Sequence, residues 1–119
     1  MANGAMPIGK YTLSRRVFTG PGAPAETVLT LQPPPGDTGQ IHLVVAYFYA
    51  EPEDSELVNG NSLFVRLDAD EFDLWYRILQ TEDPVGLAWS TRDDDDTKVA
   101  IVVLYTGDEP PGEGFDSSP

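Results

Sequence analysis

Apolar residues in this chain fall into short runs with a two-residue beat, separated by Gly, Pro and acidic stretches, and one segment alone carries helical spacing. Residues 1–10 contain Gly4, Pro7 and Gly9 and read as a flexible leader. From Tyr11 to Phe18 the alternation places Tyr11, Leu13, Arg15 and Val17 on one face of a strand. An arginine on an otherwise apolar face suits an edge strand, where charge discourages aggregation. Glu26 to Gln32 forms a second strand, stopped by Pro33, Pro34 and Pro35, which cannot donate ladder hydrogen bonds and read as a stiff loop. Gln40 to Ala50 is the strongest strand, apolar on both faces, and is expected to be central and doubly covered. Glu51 to Asn61 reads as an acidic loop holding the turn dipeptide Asn59-Gly60, followed by a strand from Ser62 to Leu67.

The helix is predicted from Asp68 to Thr81. Asp68 can cap its N-terminus, with Glu71 reaching back from three residues on. Phe72, Trp75, Tyr76 and Leu79 share one face, and Leu74 and Ile78 widen it. Asp83 and Pro84 end it, because the residue before proline avoids helical angles. Val85 to Thr91 and Lys98 to Thr106 then read as a hairpin whose second strand, apolar on both faces, is also expected to be central. These elements predict one α+β domain over residues 11–107, a mainly antiparallel sheet of about six strands with one amphipathic helix in the order ββββαββ. Residues 108–119 are expected to be a disordered acidic tail.

Charge changes this picture. The net charge of −13 is unevenly placed: residues 1–50 hold Lys10, Arg15 and Arg16 against Glu26 and Asp37, and the remaining 69 residues carry −14. Such asymmetry argues against nonspecific binding to nucleic-acid backbones or anionic lipid, both of which need a cationic face, and leaves room for a local basic patch. There is no cysteine, which removes disulfides, thiolate chemistry and Cys-based metal sites. The longest apolar run, Leu43 to Ala50, is too short to cross a membrane, and the N-terminus has no signal-peptide core, so a soluble, cytoplasmic protein is expected.

Candidate chemistry is sparse. The single histidine, His42, opens the most apolar strand and reads as a buried or edge residue rather than a catalytic one. The run Asp93, Asp94, Asp95 and Asp96 lacks the alternating ligands and glycine of a calcium loop and reads as a solvated hairpin tip. Neither a metal nor a cofactor is expected. Arg15, Arg16, Phe18, Phe64 and Arg66 would form a cationic, aromatic interaction surface if their strands were neighbours. Four strands followed by a helix is similar to the order found in single-stranded-DNA-binding coactivators of the Whirly type. The acidic tail with one aromatic resembles that of bacterial single-strand-binding proteins. These resemblances imply sheet-face nucleic-acid binding, in a Whirly-like or OB-like topology, as an alternative function.

The reading favoured by the residues is a non-enzymatic acidic binding or assembly module acting through protein–protein contacts. A homodimer follows as an expectation, because one helix cannot cover both faces of doubly apolar strands. Further alternatives are an acidic DNA mimic or inhibitor of a basic partner and, last, a small hydrolase or isomerase using carboxylates. For docking, the acidic segments Asp93 to Asp96 and Asp108, Glu109 and Phe115 of the tail are the candidates.

Overall fold

The computed structural model describes residues 2–17, 19–21, 25–49 and 54–106. Within them the chain forms β1 (Asn3–Pro7), β2 (Lys10–Arg16), β3 (Glu26–Gln32), β4 (Leu43–Tyr49), β5 (Glu56–Val58), β6 (Ser62–Asp68), α1 (Phe72–Thr81), β7 (Val85–Thr91) and β8 (Val99–Thr106). The class is α+β, as the periodicity predicts, but the strands divide between two sheets, β1-β7-β8 and β2-β3-β4-β6-β5. All pairings are antiparallel except β4 with β6. That parallel pair arises because the chain passes from β4 to the outer position, β5, and turns back through Asn59 and Gly60, both at positive φ, to insert β6 between them.

The sheets meet along two seams. At the first, one extended segment serves both: Ile8 N–H donates to Val85 O (2.9 Å) and the next residue, Gly9, donates to Gln32 O (2.7 Å). Gly9 is needed there, because a Cβ would lie 2.5 Å from the Pro34 backbone. At the second seam Leu57 N–H donates to Thr97 O (2.8 Å) and Val99 N–H to Ser55 O (2.9 Å), joining β5 to the start of β8. The ladder therefore runs from β8 through β7, β1, β2, β3, β4, β6 and β5 back to β8. It is a partly open barrel: no described strand pairs with β8 on its outer edge beyond Val99, and none with the outer edge of β2, where β7 no longer runs alongside.

The core lies between the sheets. Leu29 and Leu31 of β3, Val44, Ala46 and Phe48 of β4, and Leu63 and Val65 of β6 face Met6, Leu87 and Trp89 across it. α1 covers the rest of the inner side, with Phe72 and Trp75 edge-on to Phe48 and Tyr76 edge-on to Tyr11.

Several sequence expectations are corrected by this arrangement. The presumed leader contains β1, whose Met6 is 1% exposed. Pro7 ends an edge strand, where a missing N–H costs no ladder bond. The presumed acidic loop contains β5. β8 is not central: it ends the three-stranded sheet with Ala100 and Ile101 exposed, and β7 is the buried middle strand. β4 is central, but only its Val44, Ala46 and Phe48 face is fully buried. Leu74 of α1 is exposed rather than packed. Asp68 does cap, accepting from Asp70 N–H (3.0 Å), but it caps a 3-10 turn, Ala69–Glu71, and Glu71 makes no capping hydrogen bond. Among the described residues no helix is long and apolar enough to cross a membrane.

Two predictions follow from this core. Met6→Ala should cost about 2–5 kcal/mol in urea unfolding, and a cost within error of zero would show that β1 is not part of the cooperative unit. Gly86 lies directly opposite Tyr105, and a Cβ there would clash with the hydroxyl end of the Tyr105 ring. Gly86→Ala should therefore cost about 1–3 kcal/mol. In a Tyr105→Ala background the same change should cost almost nothing, and equal costs in both backgrounds would place the clash elsewhere.

Candidate functional site

Because strand side chains alternate, the register of the five-stranded sheet fixes what its outer face presents. Ser14 of β2, Val28 of β3, Tyr47 of β4 and Arg66 of β6 form one cross-strand row. Arg16, Glu26 and Tyr49 lie one step of two residues further along. Val45 and Phe64 lie one step back and are paired. In this way three strands and a parallel crossover bring together residues that are 50 positions apart in sequence.

Tyr47 is the centre of this face. The Arg66 guanidinium stands 5.6 Å from its ring centroid and that of Arg16 5.9 Å, distances at which a cation is attracted to the π-face. Tyr49, two residues along the same strand, stacks with Tyr47 at 5.9 Å and 3°. Arg66 is anchored by donating from Nη1 to Asp54 O (2.8 Å). Arg16 reaches Glu26 at 4.0 Å, and the Glu26 side chain is 14% exposed. Its Oε2 is buried without a hydrogen-bond partner among the described residues. Burial, and next the Glu26 carboxylate, push the Tyr49 hydroxyl above its ordinary pKa, while Arg66 pulls it down. Val28 is 3% exposed although it lies on this outer face.

Of the sequence candidates, Arg16, Phe64 and Arg66 do share this surface. Arg15 does not: it projects to the inner side, donating to Thr27 Oγ1 (2.7 Å). Phe18, Asp108, Glu109 and Phe115 lie outside the described residues. Sequence reading missed Tyr47, Tyr49 and Glu26. The two tyrosines share a face by period two, but nothing in the pattern shows that Arg16 and Arg66 flank them.

The acidic run is a structured tip rather than a free array of carboxylates. Arg92 donates to both carboxylate oxygens of Asp94 (3.0 Å each), and Asp95 Oδ1 accepts from Thr97 N–H (2.9 Å) and Thr97 Oγ1 (2.6 Å). This holds Thr97 where its carbonyl receives Leu57 at the second seam. Among the described residues no three His, Asp or Glu side chains converge as metal ligands. His42 is exposed, just ahead of β4, and its backbone N–H donates to Asn61 O (2.8 Å). It lines an open groove of about 320 Å³ with Lys10 and Pro33. On the other side of Gly9 a groove of about 430 Å³ lies between Lys10, Tyr11 and the end of α1 at Glu82 and Asp83.

Compared with known proteins, the chain matches no family model, no curated protein and no solved structure.

The Asp95 contacts carry a pH prediction. Hydrogen bonds from the Thr97 hydroxyl and amide, aided by Lys98 and Arg92, hold the Asp95 carboxyl below the ordinary aspartate value. The folded pKa is the lower one, so the tip is favoured above the unfolded value and loosens as pH falls through the folded one. Carboxyl NMR titration should show Asp95 protonating below an unfolded-peptide reference, with the Thr97 amide shifting in step. Thr97→Val should move it part of the way back. Identical titration in both proteins would remove the assigned cause.

Proposed function

We propose that the protein is a non-enzymatic binding module acting through protein–protein contacts, and that it docks partners on the outer face of the five-stranded sheet. The observation that carries this reading is the Tyr47 ring held between Arg16 and Arg66 and stacked with Tyr49. Tyrosine and arginine are the residues that protein interfaces use as anchors, since they combine large apolar area with fixed polar ends. Here they are set on a rigid sheet, so docking needs little ordering of side chains. Glu26, paired with Arg16 at 4.0 Å, helps hold that guanidinium beside the ring.

A second copy of the chain is one partner this face admits. The sequence argument for a homodimer, however, rested on a sheet with two apolar faces, and the second sheet and α1 supply the missing cover on the inner side. Binding of single-stranded nucleic acid is the second reading, favoured by the same guanidinium–ring arrangement, on which bases can stack. The net charge of −13 opposes it, because backbone binding gains from releasing counterions to a cationic surface. The mimic reading draws less support, since Asp94 and Asp95 are engaged within their own turn.

A photo-cross-linking phenylalanine at Thr30, half-buried in the outer face, should give a discrete protein adduct in an extract of the source cells. The same group at Asp73, exposed on α1, should give none. Tyr47→Ala should abolish the adduct, and a hot-spot loss of about 2 kcal/mol or more corresponds to at least a roughly 30-fold weaker complex. Labelled oligothymidine should not bind at low salt. Oligothymidine binding lost on Tyr47→Ala would establish the nucleic-acid reading instead, and neither adduct nor oligonucleotide binding would remove this face as a docking surface. An adduct of twice the 13.0 kDa chain mass, matched by light scattering, would identify the partner as a second copy.

A further inference from the structure

The opening beside β2 leaves that strand with an edge that no described strand pairs. β7 pairs with β1 from Asn3 to Pro7 and goes no further, so the place it would take beside β2 is not filled by any described strand. The end of α1 approaches this lane at Lys10 and Tyr11, and beyond it Thr12 to Arg16 are all exposed. Alternate N–H and C=O groups of that stretch point away from β3 with no strand to receive them. Natural proteins shorten, bend or cover such edges, because they template pairing with another chain. Here the edge is seven residues long and carries the exposed apolar side chain of Leu13, at 42%, with Val17, at 66%, just past its end.

Charge selects what can pair with it. Lys10, Arg15 and Arg16 are three of only seven cations in the chain. Arg15 projects to the inner side and Lys10 and Arg16 to the outer, so an added strand meets a cation on either side of its pleat. A second copy is disfavoured: antiparallel pairing of two β2 strands centred on Leu13 sets Lys10 opposite Arg16, and like charges directly opposed destabilise a ladder. The repulsion of an acidic ligand by the chain's net charge is screened beyond about 8 Å at physiological ionic strength, which leaves the local cations to decide.

We propose that the free edge of β2 is a strand-addition site for an extended acidic segment of a partner protein, with an apolar residue set against Leu13. The segment would occupy the lane vacated by β7, gaining backbone hydrogen bonds along Thr12 to Arg16 and ion pairs with Lys10 and Arg15. This rests on the reading of the protein as a protein-binding module, but on a different surface from the Tyr47 face.

The test is selection of short random peptides displayed on phage against the immobilised full chain at physiological salt. Enriched peptides should be rich in Asp, Glu and β-branched residues and free of Pro, and should shift amide resonances of β2 while leaving those of β4 and β6 unchanged. N-methylation at alternate positions of a selected peptide should weaken it at least tenfold in one phase of the alternation only. The double variant Lys10→Glu/Arg15→Glu, both exposed positions, should weaken the acidic peptides at least tenfold and select basic ones instead. Tyr47→Ala should leave peptide binding unchanged. Absence of enrichment, absence of acidic bias, indifference to N-methylation, or shifts confined to the Tyr47 face would each overturn the inference. The last outcome would do so while leaving the proposed function standing, whereas selection of β2-dependent acidic peptides together with no adduct at Thr30 would remove the sheet-face site and leave this inference standing.

Discussion

The switch of one extended segment between two sheets at Ile8 and Gly9 is the constraint on which the rest of the architecture depends. Two successive amides donate in different directions, Ile8 to Val85 and Gly9 to Gln32, so the chain cannot belong to one sheet throughout. Only a residue without a side chain fits against the Pro34 backbone at that point. Once the segment divides, β1 must pair with β7 and β2 with β3, and two sheets rather than one enclose the core. The core is then apolar on both sides without a second subunit, as the burial of Met6, Leu87 and Trp89 against Leu29 and Val44 records.

The same division leaves open the two surfaces on which docking is proposed. Since the inner faces of both sheets are used up, the outer face of the five-stranded sheet is left to carry Arg16, Tyr47, Tyr49 and Arg66. Since β7 follows β1 and not β2, no described strand pairs with the outer edge of β2. The two meet at Arg16, which ends the edge strand and also flanks Tyr47. Meanwhile part of the acidic excess is spent on structure: Asp95 holds Thr97 at the second seam, and Asp68 caps the turn that leads into α1. Four of the seven cations, Lys10, Arg15, Arg16 and Arg66, thus lie on these surfaces of a strongly negative chain.

What the sequence by itself determined is the local alphabet of this protein. Period-two runs marked β2, β3, β4, β6, β7 and β8 and their faces, the amphipathic spacing marked α1, and Asn59-Gly60 marked a tight turn, because each of these signals is carried by neighbours within a few residues. The α+β class followed from them, as did the shared face of Phe64 and Arg66. Tertiary structure alone decided the rest. Asn3–Pro7 and Glu56–Val58 have weak strand propensity and become β1 and β5 because partners distant in sequence receive their hydrogen bonds. The position of β8 at a sheet end and the gathering of Arg16 and Arg66 around Tyr47 likewise follow from pairing order. That order is settled by the closure of the whole barrel, and no short window of sequence contains it.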